Sequence, residues 1–134
     1  MASRPFGSNP AGAAEMSSIL VVDDDPELRH VIRWALEEDG WAVETAADGQ
    51  EALEQATQRR PRLVILDMGL PRLDGEGLAA GLRAVYGDAL PILLITADGH
   101  AIDKARRVGA RAHLSKPFEI DELCAAVQHT LGGQ

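Results

Sequence analysis

Ile19-Leu20-Val21-Val22 runs directly into Asp23-Asp24-Asp25, and two more apolar runs end the same way on a charged anchor. Leu63-Val64-Ile65-Leu66 stops at Asp67, and Ala112-His113-Leu114 leads to Lys116-Pro117. A further run, Ile92-Leu93-Leu94-Ile95, ends in Thr96. Short apolar runs bounded by turn signals read as strands buried on both faces, as in a parallel sheet. In an open α/β sheet, functional groups gather outside the carboxyl ends of the strands. Carboxylates, a hydroxyl and an ammonium are therefore expected to converge on one shallow site. That set suits a divalent cation and a phosphoryl group.

Between these strands the pattern turns helical. Asp25 is placed to cap a helix with Pro26 in its first turn, where the missing N–H costs nothing. Leu28, Val31, Ile32 and Ala35 form its expected buried stripe, and Gly40 is placed to end it in a left-handed turn. Trp41 to Ala46 reads as a second strand. Asp48 followed by Glu51 is a capping-box variant that opens a helix to about Gln58, which Pro61 stops. The loop from Met68 to Gly75 carries Pro71 and the turn pair Asp74-Gly75. A third helix, Glu76 to Tyr86, would turn Leu78, Leu82 and Val85 inward. A fourth, about His100 to Val108, ends at Gly109, and a short strand covers Arg111 to Leu114. The last helix, about Ile120 to Leu131, would bury Ile120, Leu123, Cys124, Val127 and Leu131, with Gly132-Gly133 ending it. Five strands alternating with five helices imply a parallel, doubly wound sheet with helices on both faces.

At 134 residues the chain suits one domain, and no sign of a repeat or a second domain is visible. Residues 1–17, rich in Gly, Ala, Ser and Pro, read as a disordered leader, leaving 18–132 as the domain. A net charge of −8 argues against direct nucleic-acid binding and against adhesion to an anionic membrane. No apolar stretch approaches the ~18 residues needed to span a bilayer. The single Cys124 excludes an internal disulfide and fits a cytoplasmic setting.

A carboxylate accepts a phosphoryl group when the donor's charge is neutralised and attack is in line. Asp67, alone at its strand end, is the expected nucleophile. Asp23 and Asp24 would hold Mg²⁺, which takes oxygen ligands and keeps several waters. Lys116 would supply a fixed positive charge to a phosphoryl oxygen, and Thr96 a hydroxyl donor. Taken singly, each has a plainer reading as a turn, cap or surface residue, and Asp25 reads best as a helix cap.

From Ser18 to about Leu131 the sequence resembles a response-regulator receiver domain of two-component signalling. The segments that carry the likeness are ILVVDDD, LVILDMGLPRLDG, ILLITA and SKPF. The resemblance implies a flavodoxin-like (βα)5 fold and a phospho-accepting switch that catalyses only its own phosphorylation and dephosphorylation. It further implies Asp67 as phosphoacceptor and metal ligand, Asp24 as direct Mg²⁺ ligand, Asp23 as ligand largely through water, and the Gly69 carbonyl as another. Thr96 and Lys116 would bind the phosphoryl group, across a cis Lys116-Pro117 peptide. Donors would be a sensor histidine kinase or phosphotransfer protein. An output partner would read the face of helix 4, strand 5 and helix 5. Arg106, Arg107 and Arg111 fall on or near that face. Two positions depart from the family's commoner pattern. Gly69 replaces a larger side chain, and His113 stands where an aromatic switch residue is usual.

Two other readings compete. A haloacid-dehalogenase-type phosphohydrolase would use Asp23 as nucleophile and Asp25 as acid/base, leaving Asp67 without a purpose. A pseudo-receiver would bind partners without phosphorylation. His30, His100, His113 and His129 show no metal spacing with Cys124, and Cys124 itself reads as a buried thiol.

Overall fold

The computed structural model describes residues 18–67, 75–97 and 101–132. Its elements run β1 (Ser18–Val22), α1 (Pro26–Glu38), β2 (Ala42–Ala46), α2 (Gly49–Gln58) and β3 (Leu63–Asp67). They continue with α3 (Gly75–Tyr86), a 3₁₀ turn (Gly87–Ala89), β4 (Ile92–Thr96), α4 (Ala101–Val108), β5 (Ala112–Ser115) and α5 (Ile120–Gly132). The sheet is parallel throughout, in the order β2-β1-β3-β4-β5. This is the expected five-stranded doubly wound fold. The expected leader, residues 1–17, lies outside the described residues, as do Gly69, Pro71, Asp74, His100 and Gly133.

Strand position explains the sequence pattern. The three central strands β1, β3 and β4 are buried at every residue, so each is apolar without alternation until its functional end. Edge strand β5 alternates half-buried and exposed residues, and edge strand β2 includes Glu44 and Thr45. Successive side chains point to opposite faces. Leu20, Val22, Val64, Leu66 and Leu94 accordingly pack under α2, α3 and α4, through Ala52, Leu78 and Leu82 among others. Ile19, Val21, Ile65, Leu93 and Ile95 meet α1 and α5 through Ile32, Leu36, Leu123 and Val127. Leu94, 0% exposed, lies in the middle of the first layer; truncation to Ala should cost about 2–5 kcal/mol, measurable by chemical denaturation.

The caps fall where the sequence placed them. The Asp25 carboxylate accepts from the N–H groups of Glu27 and Leu28, with Pro26 opening α1. Asp48 Oδ1 accepts from Glu51 N at 2.8 Å, while Glu51 Oε1 accepts from Ala47 N at 2.9 Å. Gly40 and Gly109 take positive φ (95° and 71°), ending α1 and α4 in left-handed turns.

Two expected core positions, Val31 and Val85, are exposed, and Leu28, Ile120 and Cys124 are only half-buried. Val31 is 41% and Val85 52% exposed. Ile32, Ala35 and Leu36 are the buried residues of α1, so Val31, about 100° round from Ile32, falls on the helix shoulder. In α3 the buried residues are Leu78, Ala79 and Leu82. Tyr86, one turn past Leu82, takes the place expected of Val85, and its hydroxyl donates to the Ala56 carbonyl. Cys124 is only half-buried, because Leu123 and Val127 take the inward line of α5; Ile120 is likewise half-buried.

Candidate phosphoryl and metal site

Strand order reverses between β1 and β3. The helix after β1 leads to one side of the sheet, and the chain returns through β3 to the other. Side chains leaving the carboxyl ends of these two strands share the crevice that this reversal opens. Asp23 and Asp24 leave β1, Asp67 closes β3, and Thr96 closes β4 beside it. One oxygen from each of Asp23, Asp24 and Asp67 lies within 4.8 Å of the others. Asp23, Asp67 and Thr96 are buried, at 1%, 7% and 1% exposure, whereas Asp24 is exposed.

Lys116 joins this cluster from the β5–α5 loop. Its backbone N–H donates to the Thr96 carbonyl at 2.8 Å, continuing the β4–β5 ladder one residue beyond Thr96↔Ser115. Its Nζ stands 3.5 Å from Asp67 Oδ2 and 3.6 Å from Asp23 Oδ2. The Lys116-Pro117 peptide is cis. Sequence reading therefore anticipated four side chains that do come together, Asp23, Asp24, Asp67 and Lys116, with Thr96 at the end of the adjacent strand. Gly69 lies outside the described residues. His113 is exposed on β5.

The β1–α1 loop is tied down from both sides. Asp23 Oδ1 accepts from Asp25 N at 2.9 Å, and Arg29 Nη1 donates to the Asp23 carbonyl at 2.8 Å. Sequence reading missed Arg29. Its one signal was position, a long cationic side chain one turn past the cap, able to reach back over the loop. Asp25 is spent on the helix terminus. Replacing it with Ala should cost about 1 kcal/mol of stability, read from a denaturant midpoint.

The electrostatics of the crevice are uneven. Burial pushes the Asp23 carboxyl above its ordinary value, opposed by the Asp25 N–H. The neighbouring Asp67 and Asp24 add to the rise, and the Lys116 ammonium works against it. Asp23 Oδ2 is buried with no hydrogen-bond partner among the described residues. A buried carboxylate oxygen in that state, facing two other carboxylates, is what a hard divalent cation with oxygen ligands satisfies.

Residues 19–128 match the family described as the response regulator receiver domain. The chain belongs to this family. Its relatives include response regulator MprA of Mycolicibacterium vanbaalenii, 43% identical over 115 residues, which cover 84% of this chain and 49% of that protein. MprA of Mycobacterium leprae is 42% identical over the same length. The chain thus spans about half the length of the curated relatives it matches. Among solved structures, the chemotaxis protein CheY4 of Vibrio cholerae superimposes with a TM-score of 0.80 at 34% identity, covering 87% of this chain and 99% of that one. The NtrX receiver domain of Brucella abortus gives 0.79 at 35% identity with the same coverage. Receiver domains of this family typically accept phosphate on Asp and bind Mg²⁺, and the acidic cluster is present here.

The three arginines expected near a partner face do not form one patch. Arg107 of α4 bonds Glu76 of α3 through both Nε and Nη2, at 3.2 and 2.9 Å. Arg111, in the loop just before β5, lines a cavity at the opposite end of the sheet from Asp67. Arg106 is exposed.

Proposed function

We propose that this receiver domain is a phosphorylation-driven signalling switch. Asp67 takes a phosphoryl group from a sensor histidine kinase or phosphotransfer protein, and a partner reads the phosphorylated form. One observation carries the reading: Lys116 Nζ sits within 3.6 Å of both Asp67 and Asp23, with Asp24 completing the acidic cluster. Asp67 Oδ attacks phosphorus, the bond to the donor atom breaks, and an acyl phosphate remains on Asp67. Lys116 neutralises a transferring oxygen. Thr96, at the end of the adjacent strand, hydrogen-bonds another. Asp23 and Asp24, with the Gly69 carbonyl, are the groups that would hold Mg²⁺, which supplies charge neutralisation when bound. The domain performs no other chemistry. It belongs in the cytoplasm, and no described helix is long and apolar enough to cross a membrane.

A protein donor has to bring its phosphoryl group past Lys116. An open, mainly apolar depression of about 700 Å³ borders that route, lined by Leu28, Val31, Pro117, Phe118 and Ile120 beside Lys116. The exposure of Val31 and of Trp34 on the same helix supports this as the donor's approach. The output face is formed by α4, β5 and α5, with exposed His113 as its switch residue.

A covalent-site assay separates this reading from a phosphohydrolase using Asp23. The chain is incubated with Mg²⁺ and acetyl phosphate, reduced with borohydride and mapped by mass spectrometry. Label on Asp67 is expected; label on Asp23 would overturn the assignment. Asp23 already has Oδ1 engaged by the Asp25 N–H. In a parallel Mg²⁺ titration, Asp24→Ala should weaken binding about tenfold or more, as loss of a direct charged ligand does. Asp25→Ala should leave it nearly unchanged. Equal losses would refute the division between ligand and cap.

A further inference from the structure

At the end of the sheet where the strands begin, away from Asp67, lies a cavity of about 480 Å³ lined by Arg60, Arg62, Arg111 and Thr130, with Pro61 and Pro91 among its walls. Arg60 and Arg62 flank Pro61 in the α2–β3 loop. Arg111 arrives from the α4–β5 loop. No carboxylate lines the cavity, and among the described residues none of these three guanidiniums has an acidic partner. Arg33, Arg59, Arg83 and Arg107 each do. Three uncompensated cations in one hollow stand out in a chain of net charge −8.

Two of the three are also held in place. The Arg60 guanidinium lies 5.4 Å from the Tyr86 ring centroid, and that of Arg62 lies 5.1 Å from Trp41. Stacking on aromatic faces orients the planar forks without using their N–H donors. Thr130 adds an independent sign. It is 8% exposed, and its Oγ1 is buried with no hydrogen-bond partner among the described residues. A helical threonine ordinarily satisfies its hydroxyl on a carbonyl of the preceding turn. Here the hydroxyl stays unused beside the basic hollow.

We propose that this cavity binds a phosphate-type polyanion. Its oxygens accept N–H groups from Arg60, Arg62 and Arg111, and the Thr130 hydroxyl, buried in the cavity wall, rotates out to join them. Planar guanidinium forks match phosphate oxygens in pairs, and three of them call for more than one negative charge. The site involves none of the groups around Asp67, so it does not depend on the phosphoacceptor reading.

Calorimetric titration of the whole chain with sodium tripolyphosphate, in low-salt buffer without Mg²⁺, tests it. Saturable binding is expected, weakening as salt rises. Citrate, a carboxylate polyanion of lower charge, should bind at least about tenfold more weakly. Arg60→Gln, Arg62→Gln and Arg111→Gln should each weaken tripolyphosphate binding about tenfold, the loss of one charge-assisted contact. All three side chains are exposed, so the variants should fold. Thr130→Val should also weaken binding, yet raise the melting temperature of the anion-free protein by removing an unsatisfied buried hydroxyl. Absence of saturable binding, equal affinity for citrate, or arginine variants that bind like the parent would each overturn the proposal.

Discussion

Asp67→Asn should reduce phosphoryl incorporation from acetyl phosphate to background while making the metal-free protein more stable. The two effects come from the same carboxylate. As nucleophile, Asp67 supplies the oxygen that bonds to phosphorus, and an amide oxygen is too weakly nucleophilic to replace it. As a charge, it sits in the acidic cluster with Asp23 and Asp24, and its presence is one reason the Asp23 carboxyl is pushed upward. The opposing contribution is the 3.5 Å contact with Lys116, but Lys116 keeps Asp23 as a partner at 3.6 Å. Removing one of three crowded carboxylates should therefore gain about 1 kcal/mol, roughly 3–6 °C in melting temperature for a domain of this size. Added Mg²⁺ should narrow the gap between parent and variant, because the cation relieves the same repulsion in the parent. Incorporation that persists in Asp67→Asn would refute the phosphoacceptor assignment. An unchanged or lower metal-free melting temperature would show that the Lys116 contact outweighs the crowding.

What could be read from the sequence follows from how strongly each residue's surroundings constrain it. Strands β1, β3 and β4 were legible because burial on both faces forbids polar residues until the strand end, so Asp23, Asp67 and Thr96 stand out as interruptions. The caps Asp25 and Asp48 were legible because a helix terminus needs a short acceptor side chain within two or three residues. The helix shoulders were not. Val31 and Val85 are as apolar as their buried neighbours, and only the position of each helix over the sheet decides which way they face. The half-buried state of Cys124 has the same origin. Nor could the sequence place Arg60, Arg62 and Arg111 together, since their meeting depends on β3, β4 and β5 lying side by side in that order. Arg29 escaped because its target is a backbone carbonyl, which carries no sequence signal.

The second large effect concerns Mg²⁺ and pH. Asp23 is raised from its ordinary value of 3.8, chiefly by burial. A carboxyl raised in the folded state binds its proton more tightly there than in the unfolded chain. Stability of the metal-free protein should accordingly fall as pH rises from the unfolded value through the folded one, and the whole penalty is present once the pH lies above the folded value. Mg²⁺ binding to the ionised carboxylates acts in the other direction. At a hundredfold excess over its dissociation constant it should add about 2.7 kcal/mol at pH 7.5. As pH falls toward 4.5 protons compete for the same oxygens, so the Mg²⁺-induced rise in melting temperature should shrink steeply. Asp23→Asn separates this from a general ionic effect. The amide cannot ionise, so the variant should lose most of the Mg²⁺ stabilisation at pH 7.5 and much of the metal-free decline between acid and neutral pH. Exposed Glu38 closes α1 at the end far from the crevice, and Glu38→Gln should keep both behaviours of the parent. Differential scanning fluorimetry across pH with and without Mg²⁺ reads all of this. A Mg²⁺ shift of equal size at pH 7.5 and 4.5, or one retained in full by Asp23→Asn, would mean that the cation acts elsewhere on this acidic surface.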